Sequence, residues 1–125
     1  TALVENKPAR DQGIAQKLFA HGELCADQVE QSLSRREDFD FVKPRTKADD
    51  VISSNNGPSV TTMRGHQFPM AFLTIASGLD KHEATSELPL PFTHVDIAGS
   101  GIEDLDWQHG KPTGSPVNVF VNTYL

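Results

Sequence analysis

The sequence has little of the chemistry that marks several common classes of protein. Its 125 residues include a single cysteine, Cys25, so no disulfide can form within the chain, and this fits a reducing compartment. The longest apolar runs are far shorter than the roughly 20 residues needed to cross a bilayer. No basic-then-apolar signal region opens the sequence either. We therefore expect a soluble protein with no membrane partner.

Positive charge is also scarce. The chain carries 17 acidic and 11 basic residues, for a formal net charge of -6, and its Lys and Arg residues are scattered along the sequence. Such a chain has no electrostatic footprint for nucleic acid and no polybasic cluster for an anionic lipid surface. Its length and its 37% apolar content suit one modest core, hence one domain or part of one.

The first residue is Thr1 rather than Met, and the apolar residues that follow it resemble the end of a strand. This suggests a processed or truncated product, although a choice of numbering would look the same, and the two interpretations stay open.

Hydrophobic spacing predicts helices interleaved with a few strands, that is, an α/β domain in layers. The first predicted helix covers residues 11–21, with Asp11 as its N-terminal cap and Gly22 as its C-terminal stop. Three further helices are predicted at residues 24–33, 69–77 and 115–124. For residues 115–124 a strand is the alternative. Residues 92–98 predict a strand, and residues 37–42 a short strand or packing segment. Residues 43–47, 53–58, 81–91 and 99–114 predict loops and turns.

Residues 95–101 (Val-Asp-Ile-Ala-Gly-Ser-Gly) look at first like the glycine turn of a dinucleotide-binding unit. That motif needs a third glycine for close helix packing, and Asp104 stands at this position. Glu103 and Asp106 add negative charge where phosphates would lie. The nucleotide interpretation is therefore disfavoured.

The histidines do not form a zinc motif, which usually needs closely spaced ligands. His82 and Glu83 lack a second histidine, because Ser86 stands at the position that a zinc protease would need. His21 and Cys25 are four residues apart and could form a ligand pair or a thiol with a base. A buried apolar cysteine is the favoured alternative.

Three other polar groups have both a functional and a structural interpretation. His94 and Asp96 alternate on the predicted strand, so they face the same side; a hydrogen-bonded pair is favoured over a catalytic dyad. Arg64 in the Arg-Gly-His-Gln stretch at residues 64–67 could hold a carboxylate or a neighbouring subunit, and a loop anchored by a salt bridge is favoured. Asp49 and Asp50 are adjacent and diverge on a helix, so they are best explained as surface charges.

The order of several segments resembles that of a known family. Residues 93–99 (Thr-His-Val-Asp-Ile-Ala-Gly) resemble the His-Leu-Asp-Ile-Ala-Gly signature near the C-terminus of the leucyl (cytosol) aminopeptidases. Residues 112–117 (Pro-Thr-Gly-Ser-Pro-Val) resemble the Thr-Gly-Arg-Pro-Val that begins their last helix. Segments at residues 15–23, 47–56 and 65–73 are similar to further family segments in the same order. Residues 64–67 and the inserted loop at 77–89 indicate a divergent branch.

The resemblance implies that residues 1–125 are the C-terminal part of a single three-layer αβα catalytic domain with a mixed central sheet. Members of the family remove N-terminal residues from peptides. They use two divalent metals, zinc or manganese, which activate a bridging water and polarise the scissile carbonyl. They are cytoplasmic and usually form hexamers.

The resemblance also implies what this chain lacks. The family's metal ligands and catalytic motif lie upstream of the matched stretch, so we expect no catalytic and no metal-binding residue here. Ala98 matches a residue that lines the pocket for the first side chain of the substrate. Gly101 falls where a larger pocket residue often stands, which puts a preference for leucine in doubt.

The favoured hypothesis is a fragment or processed chain of a two-metal aminopeptidase that contributes pocket wall and packing surface. Its partners would be the upstream part of the same enzyme, a peptide substrate and further copies in a homo-oligomer. The alternative is a non-catalytic structural or assembly module derived from the same fold. A small independent hydrolase built on His94 and Asp96 is the least favoured.

Overall fold

The computed structural model describes residues 1–53, 57–58, 61–82 and 87–125, with the backbone alone at residue 82. The strands are β1 (Ala2–Glu5), β2 (Glu30–Leu33), β3 (Thr93–Asp96), β4 (Ile102–Leu105) and β5 (Gln108–Pro112). The helices are α1 (Lys7–Asp11), α2 (Ile14–Cys25), α3 (Arg36–Phe41), α4 (Phe68–Ala76) and α5 (Val117–Tyr124). The predicted α/β class and mixed sheet are confirmed.

The main sheet has three strands in the order β2-β1-β3. β1 is parallel to β2, with Ala2 opposite Glu30, and antiparallel to β3, with Ala2 opposite Asp96. β4 and β5 form a separate antiparallel hairpin. The first strand in the sequence is thus the central one.

One face of the main sheet is closed by α2 and α5. Its core comprises Leu3, Ala15, Leu18, Val29 and Val119, all at most 2% exposed, with Val95 packed against them. Burying each large aliphatic side chain stabilises the fold by roughly 1.5–3 kcal/mol. Leu18 of the predicted first helix does face this core. In the last helix the predicted apolar face is wrong, because Val117, Val121 and Tyr124 are at least 45% exposed and Val119 is the buried residue.

Successive residues of a strand point to opposite sides, so the opposite face carries a second set of side chains, which includes the fully buried Val4 and several polar groups. Ser32, Val4 and His94 form one row across the three strands, and Asp96 lies at the next position of the same face. The loop before α4 crosses this face, since Gln67 contacts Ser32 on β2 and His66 contacts Asp96 on β3.

The first predicted helix is displaced and its caps are wrong. Asn6 caps α1 by accepting a hydrogen bond from the backbone N–H of Ala9, 3.0 Å away, and Asp11 ends that helix. Gly22 does not stop α2, which continues to Cys25 and ends where Ala26 takes a left-handed φ of 55°. A Cβ on Gly22 would lie 2.8 Å from the carbonyl oxygen of Asp27, so this glycine allows close packing rather than chain reversal.

Three other element predictions are wrong because tertiary pairing overrides local pattern. Residues 30–33 form β2 beside β1 rather than the end of a helix. Residues 36–41 form α3, in which Asp38 accepts a hydrogen bond from the backbone N–H of Arg35. The turn-rich residues 99–114 contain the β4–β5 hairpin.

The helix predictions near residues 69 and 117 are confirmed by α4 and α5. The predicted cap Ser115 acts indirectly: it donates a hydrogen bond to Asp27, whose carboxylate accepts the N–H of Val119 in α5. The predicted turn at residues 53–58 lies partly outside the described residues. No helix in the described part of the chain is long and apolar enough to span a membrane.

Candidate functional site

A cleft of about 900 Å³ opens where β3 ends and the loop before α4 crosses the polar face of the sheet. We call it the Ala98 cleft. One wall is formed by Thr62 and residues 64–69, and the other by Asp96, Ile97, Ala98 and Gly99. A volume of this size lies within the range of small-molecule and cofactor sites. Two sequence-predicted features, the Arg-Gly-His-Gln stretch and the pocket residue Ala98, therefore meet here.

His66 and Asp96 join the two walls of this cleft. Nδ1 of His66 contacts Oδ2 of Asp96, and both side chains are partly exposed. The pair predicted from the sequence, His94 with Asp96, is not the pair that forms. Asp96 instead bonds to a histidine thirty positions upstream in the loop.

His94 lies on the same face of the sheet and is less exposed than His66. Its Nε2 has no hydrogen-bond partner among the described residues. Burial lowers the pKa of His94 below its ordinary value, against the smaller opposing effect of the nearby Asp96 charge. A half-buried imidazole whose pKa is lowered, and whose Nε2 has no partner among the described residues, does not support the hydrolase interpretation built on His94 and Asp96.

Gln67, which lines the cleft, carries a buried polar atom. Its Nε2 donates to Oγ of Ser32 at 2.6 Å, while its Oε1 is buried with no partner in the described part of the chain. Exchanging the amide nitrogen and oxygen would only move the unpaired atom. An unsatisfied buried polar atom lowers the stability of the fold. A polar group of a ligand could supply the missing hydrogen bond at this wall.

The loop is anchored by Arg64, whose φ is 58°. Its guanidinium donates to both carboxylate oxygens of Asp38, at 2.6 and 2.9 Å, and to the carbonyl of Leu33 at 2.7 Å. The bond to Asp38 raises the pKa of Arg64 above its ordinary value. The predicted structural role of Arg64, a loop held by a salt bridge, is what the contacts show.

The two pocket residues inferred from the resemblance are placed differently. Ala98 is exposed and lines the cleft. Gly101 is not among the cleft-lining residues; its N–H donates to the carbonyl of Ala98 at 3.0 Å. A Cβ on Gly101 would lie 2.8 Å from Cγ2 of Ile97, so a side chain here would act on the cleft through Ile97.

The remaining candidates do not form a chemical site in the described residues. Nδ1 of His21 bonds Oγ1 of Thr123 at 3.0 Å, and Sγ of Cys25 lies 3.9 Å from the carbonyl of Gly22, so each has its own partner. Glu83 and Ser86 lie outside the described residues. Within the ranges that the structure describes, no three His, Cys, Asp or Glu side chains are grouped so that they could hold a metal ion.

Sequence analysis missed Asp38 and Ser32. They bond to residues 26 and 35 positions further along the chain, so no local spacing connects them. The capping pattern at the start of α3 could have identified Asp38 as a structural carboxylate.

No family model matches the sequence, and no solved structure matches it. A protein of Caenorhabditis elegans that carries the name "Putative aminopeptidase" is 38% identical over 98 residues. The match covers 78% of this chain and 19% of the relative, so the chain spans about a fifth of the length of the protein it resembles. This likeness supports a relationship to aminopeptidases.

Proposed function

We propose that this chain is part of the catalytic domain of a two-metal aminopeptidase of the leucyl type, and that it supplies one wall of the pocket for the first side chain of the substrate. Ala98 is the wall residue. The partners in this proposal are the remainder of the enzyme, which carries the metal ligands, and a peptide substrate.

The observation that carries the proposal is the position of Ala98. The residue that the family resemblance assigns to the pocket lies in the wall of a cleft of about 900 Å³, at the carboxyl end of a strand. The 38% identity to a protein named as an aminopeptidase points to the same class.

The described residues do not fit a metal centre by themselves. In the proposal, therefore, the zinc or manganese ligands come from the rest of the longer protein, of which this chain would be about a fifth. The residues of this chain shape the pocket, and they move no proton at the reacting bond. Assembly as a hexamer in the cytoplasm belongs to the same proposal.

The test compares the 125-residue chain with the longer protein that contains it. The chain alone is expected to bind no stoichiometric zinc or manganese and to release no product from aminoacyl-coumarin substrates. The longer protein is expected to show metal-dependent turnover. Metal-dependent turnover by the chain alone would contradict the proposal, and an inactive longer protein with its ligand positions replaced would establish the non-catalytic module.

A substitution in the longer protein tests the pocket wall. Ala98→Leu is expected to raise KM by roughly tenfold for substrates with a large first side chain and much less for alanyl substrates, because it narrows the cleft. Ala20→Leu, an exposed position on α2, is the matched control and is expected to leave both values unchanged. If Ala98→Leu changed KM equally for substrates with small and large first side chains, Ala98 would not line the pocket for that side chain.

A further inference from the structure

We propose a second binding site, for a small oxyanion of the phosphate or carboxylate type, in a cleft at the opposite end of the main sheet. This basic cleft has a volume of about 380 Å³. It is lined by Lys7, Arg10, Arg35 and Arg36, together with Asn6, Ser34, Phe39, Met70 and Asp80. It shares no lining residue with the Ala98 cleft.

The charge of this cleft is opposite to that of the chain. The sequence has 17 acidic and 11 basic residues, yet the described lining brings together four cations and one carboxylate, that of Asp80. Residues that are scattered in the sequence converge here because the segments after β1 and β2 lie side by side. A concave surface lined by one sign of charge focuses the electrostatic potential and concentrates counter-ions.

Within the described part of the chain, two of the four cations have donors available for a ligand. Lys7 is paired with Asp11, and Arg36 lies 3.6 Å from Asp40. Arg10 and Arg35 have no carboxylate within ion-pair distance in the described ranges. A guanidinium offers a planar fork of donors that matches two oxygens on one centre, which is why a phosphate or carboxylate is the fitting ligand.

The position in the fold supports a binding role. Asn6 and Lys7 follow β1 directly, and Ser34 to Arg36 follow β2, so the cleft lies outside the carboxyl ends of two parallel strands. Open α/β sheets bind their ligands in this crevice. Phe39 and the buried Met70 give the cleft an apolar side, which suits an anion carried on a small organic molecule.

The test is a titration of the protein with sodium pyrophosphate and, separately, with sodium citrate. Binding is followed by isothermal calorimetry and by amide NMR shifts, against sodium chloride at matched ionic strength. We expect saturable binding at one site for at least one probe, with shifts concentrated near Asn6 and Ser34. Tighter binding of pyrophosphate would assign a phosphate ligand, and tighter binding of citrate a carboxylate.

Two exposed substitutions localise the site. Arg10→Gln and Arg35→Gln are each expected to weaken binding roughly tenfold, since each removes charge-assisted hydrogen bonds. Lys17→Gln removes the same charge from α2, where Lys17 lies over the ring of Tyr124, and is expected to leave binding unchanged. An equal loss in all three variants, or shifts that sodium chloride reproduces, would overturn the proposal, because either result describes general screening. Neither outcome depends on aminopeptidase activity.

Discussion

The two faces of the main sheet are built on different principles. The face beneath α2 and α5 is closed by aliphatic side chains, with Leu3, Leu18 and Val119 at most 1% exposed. The face beneath the loop at residues 64–67 combines the fully buried Val4 with polar contacts, and it contains two buried polar atoms, on Gln67 and His94, without partners among the described residues. Well-packed apolar surface stabilises a fold, whereas unsatisfied polar atoms reduce stability and mark places that can bind.

The difference between the faces follows from alternation along each strand. In β3, Val95 turns toward the core, while His94 and Asp96 turn toward the loop. The same strand therefore supports the fold with one residue and shapes a cleft with its neighbours. We therefore expect the Ala98 cleft to bind ligand on the face that carries His94 and Asp96. Stability measurements on variants can test the difference between the two faces.

The largest expected effect is the loss of the anchor that holds the loop on the polar face. Arg64→Met is expected to lower the free energy of unfolding by about 3 kcal/mol, because it leaves the carboxylate of Asp38, which is 1% exposed, without its cation. Asp38→Asn keeps an acceptor and is expected to cost about 1–2 kcal/mol. Denaturant unfolding followed by circular dichroism measures both.

Arg36→Met is the matched control for this anchor. Its partner Asp40 is 3.6 Å away, and the Arg36 side chain is 91% exposed, so removing the charge should have little effect on stability. If Arg64→Met proved as mild as this control, the polar face would not depend on the Arg64–Asp38 pair.

The second effect contrasts two glycines, one on each side of the sheet. Gly22→Ala adds a Cβ 2.8 Å from the backbone oxygen of Asp27, which cannot easily move, and is expected to cost roughly 1–2 kcal/mol. Helix propensity alone would predict a gain from this change. Gly101→Ala brings its Cβ equally close to Ile97, a side chain that is 54% exposed and can rotate away.

Gly101→Ala is therefore expected to change stability by less than about 0.5 kcal/mol. Thermal unfolding of the two variants under one buffer condition gives the comparison. A stabilised Gly22→Ala protein would show that the core face has room at the end of α2, and that the contrast between the faces is smaller than described.

The smallest expected effect is on pH dependence. Burial lowers the pKa of His94 in the folded protein, so the unfolded chain takes up a proton more readily. The contribution of neutral His94 to stability is then complete above its ordinary pKa of about 6.5 and is lost as the pH falls from there toward the folded pKa.

The measurement compares unfolding free energies between about pH 7.5 and 5.5 for the wild-type protein and His94→Gln. The wild-type protein should lose more stability on acidification than the variant, since the glutamine cannot titrate. Parallel curves for the two proteins would show that His94 is solvated and that the polar face is more open than its contacts indicate.

Much of the fold could be predicted from local pattern, and the exceptions have physical causes. The spacing of Val117, Phe120, Val121 and Tyr124 predicted the α5 helix but not its buried face, which carries Val119. Pro69 marked the first turn of α4. β2 and α3 were misassigned because their identity depends on a neighbouring strand and on a cap. Gly22 was read as a helix stop, although its small size serves close packing.

The candidate site could be predicted only in part. Ala98, which the family resemblance assigned to a substrate pocket, lines a cleft, and its contact with substrate stays a prediction. Composition indicated that the positive charge was dispersed, and only the folded chain brings Arg10 and Arg35 into one cleft. The pairing of Asp96 with His66 rather than His94 depends on where a distant loop crosses the sheet, which no short-range spacing encodes.

The central position of β1 has a consequence for how the chain folds during synthesis. β1 can pair with β2 early, but its other edge stays uncovered until Thr93–Asp96 has left the ribosome. An uncovered strand edge is a template for pairing with other chains, and pairing across a long sequence separation is slow. In the interval between the synthesis of β2 and that of β3, this edge of β1 is therefore exposed to pairing with other chains.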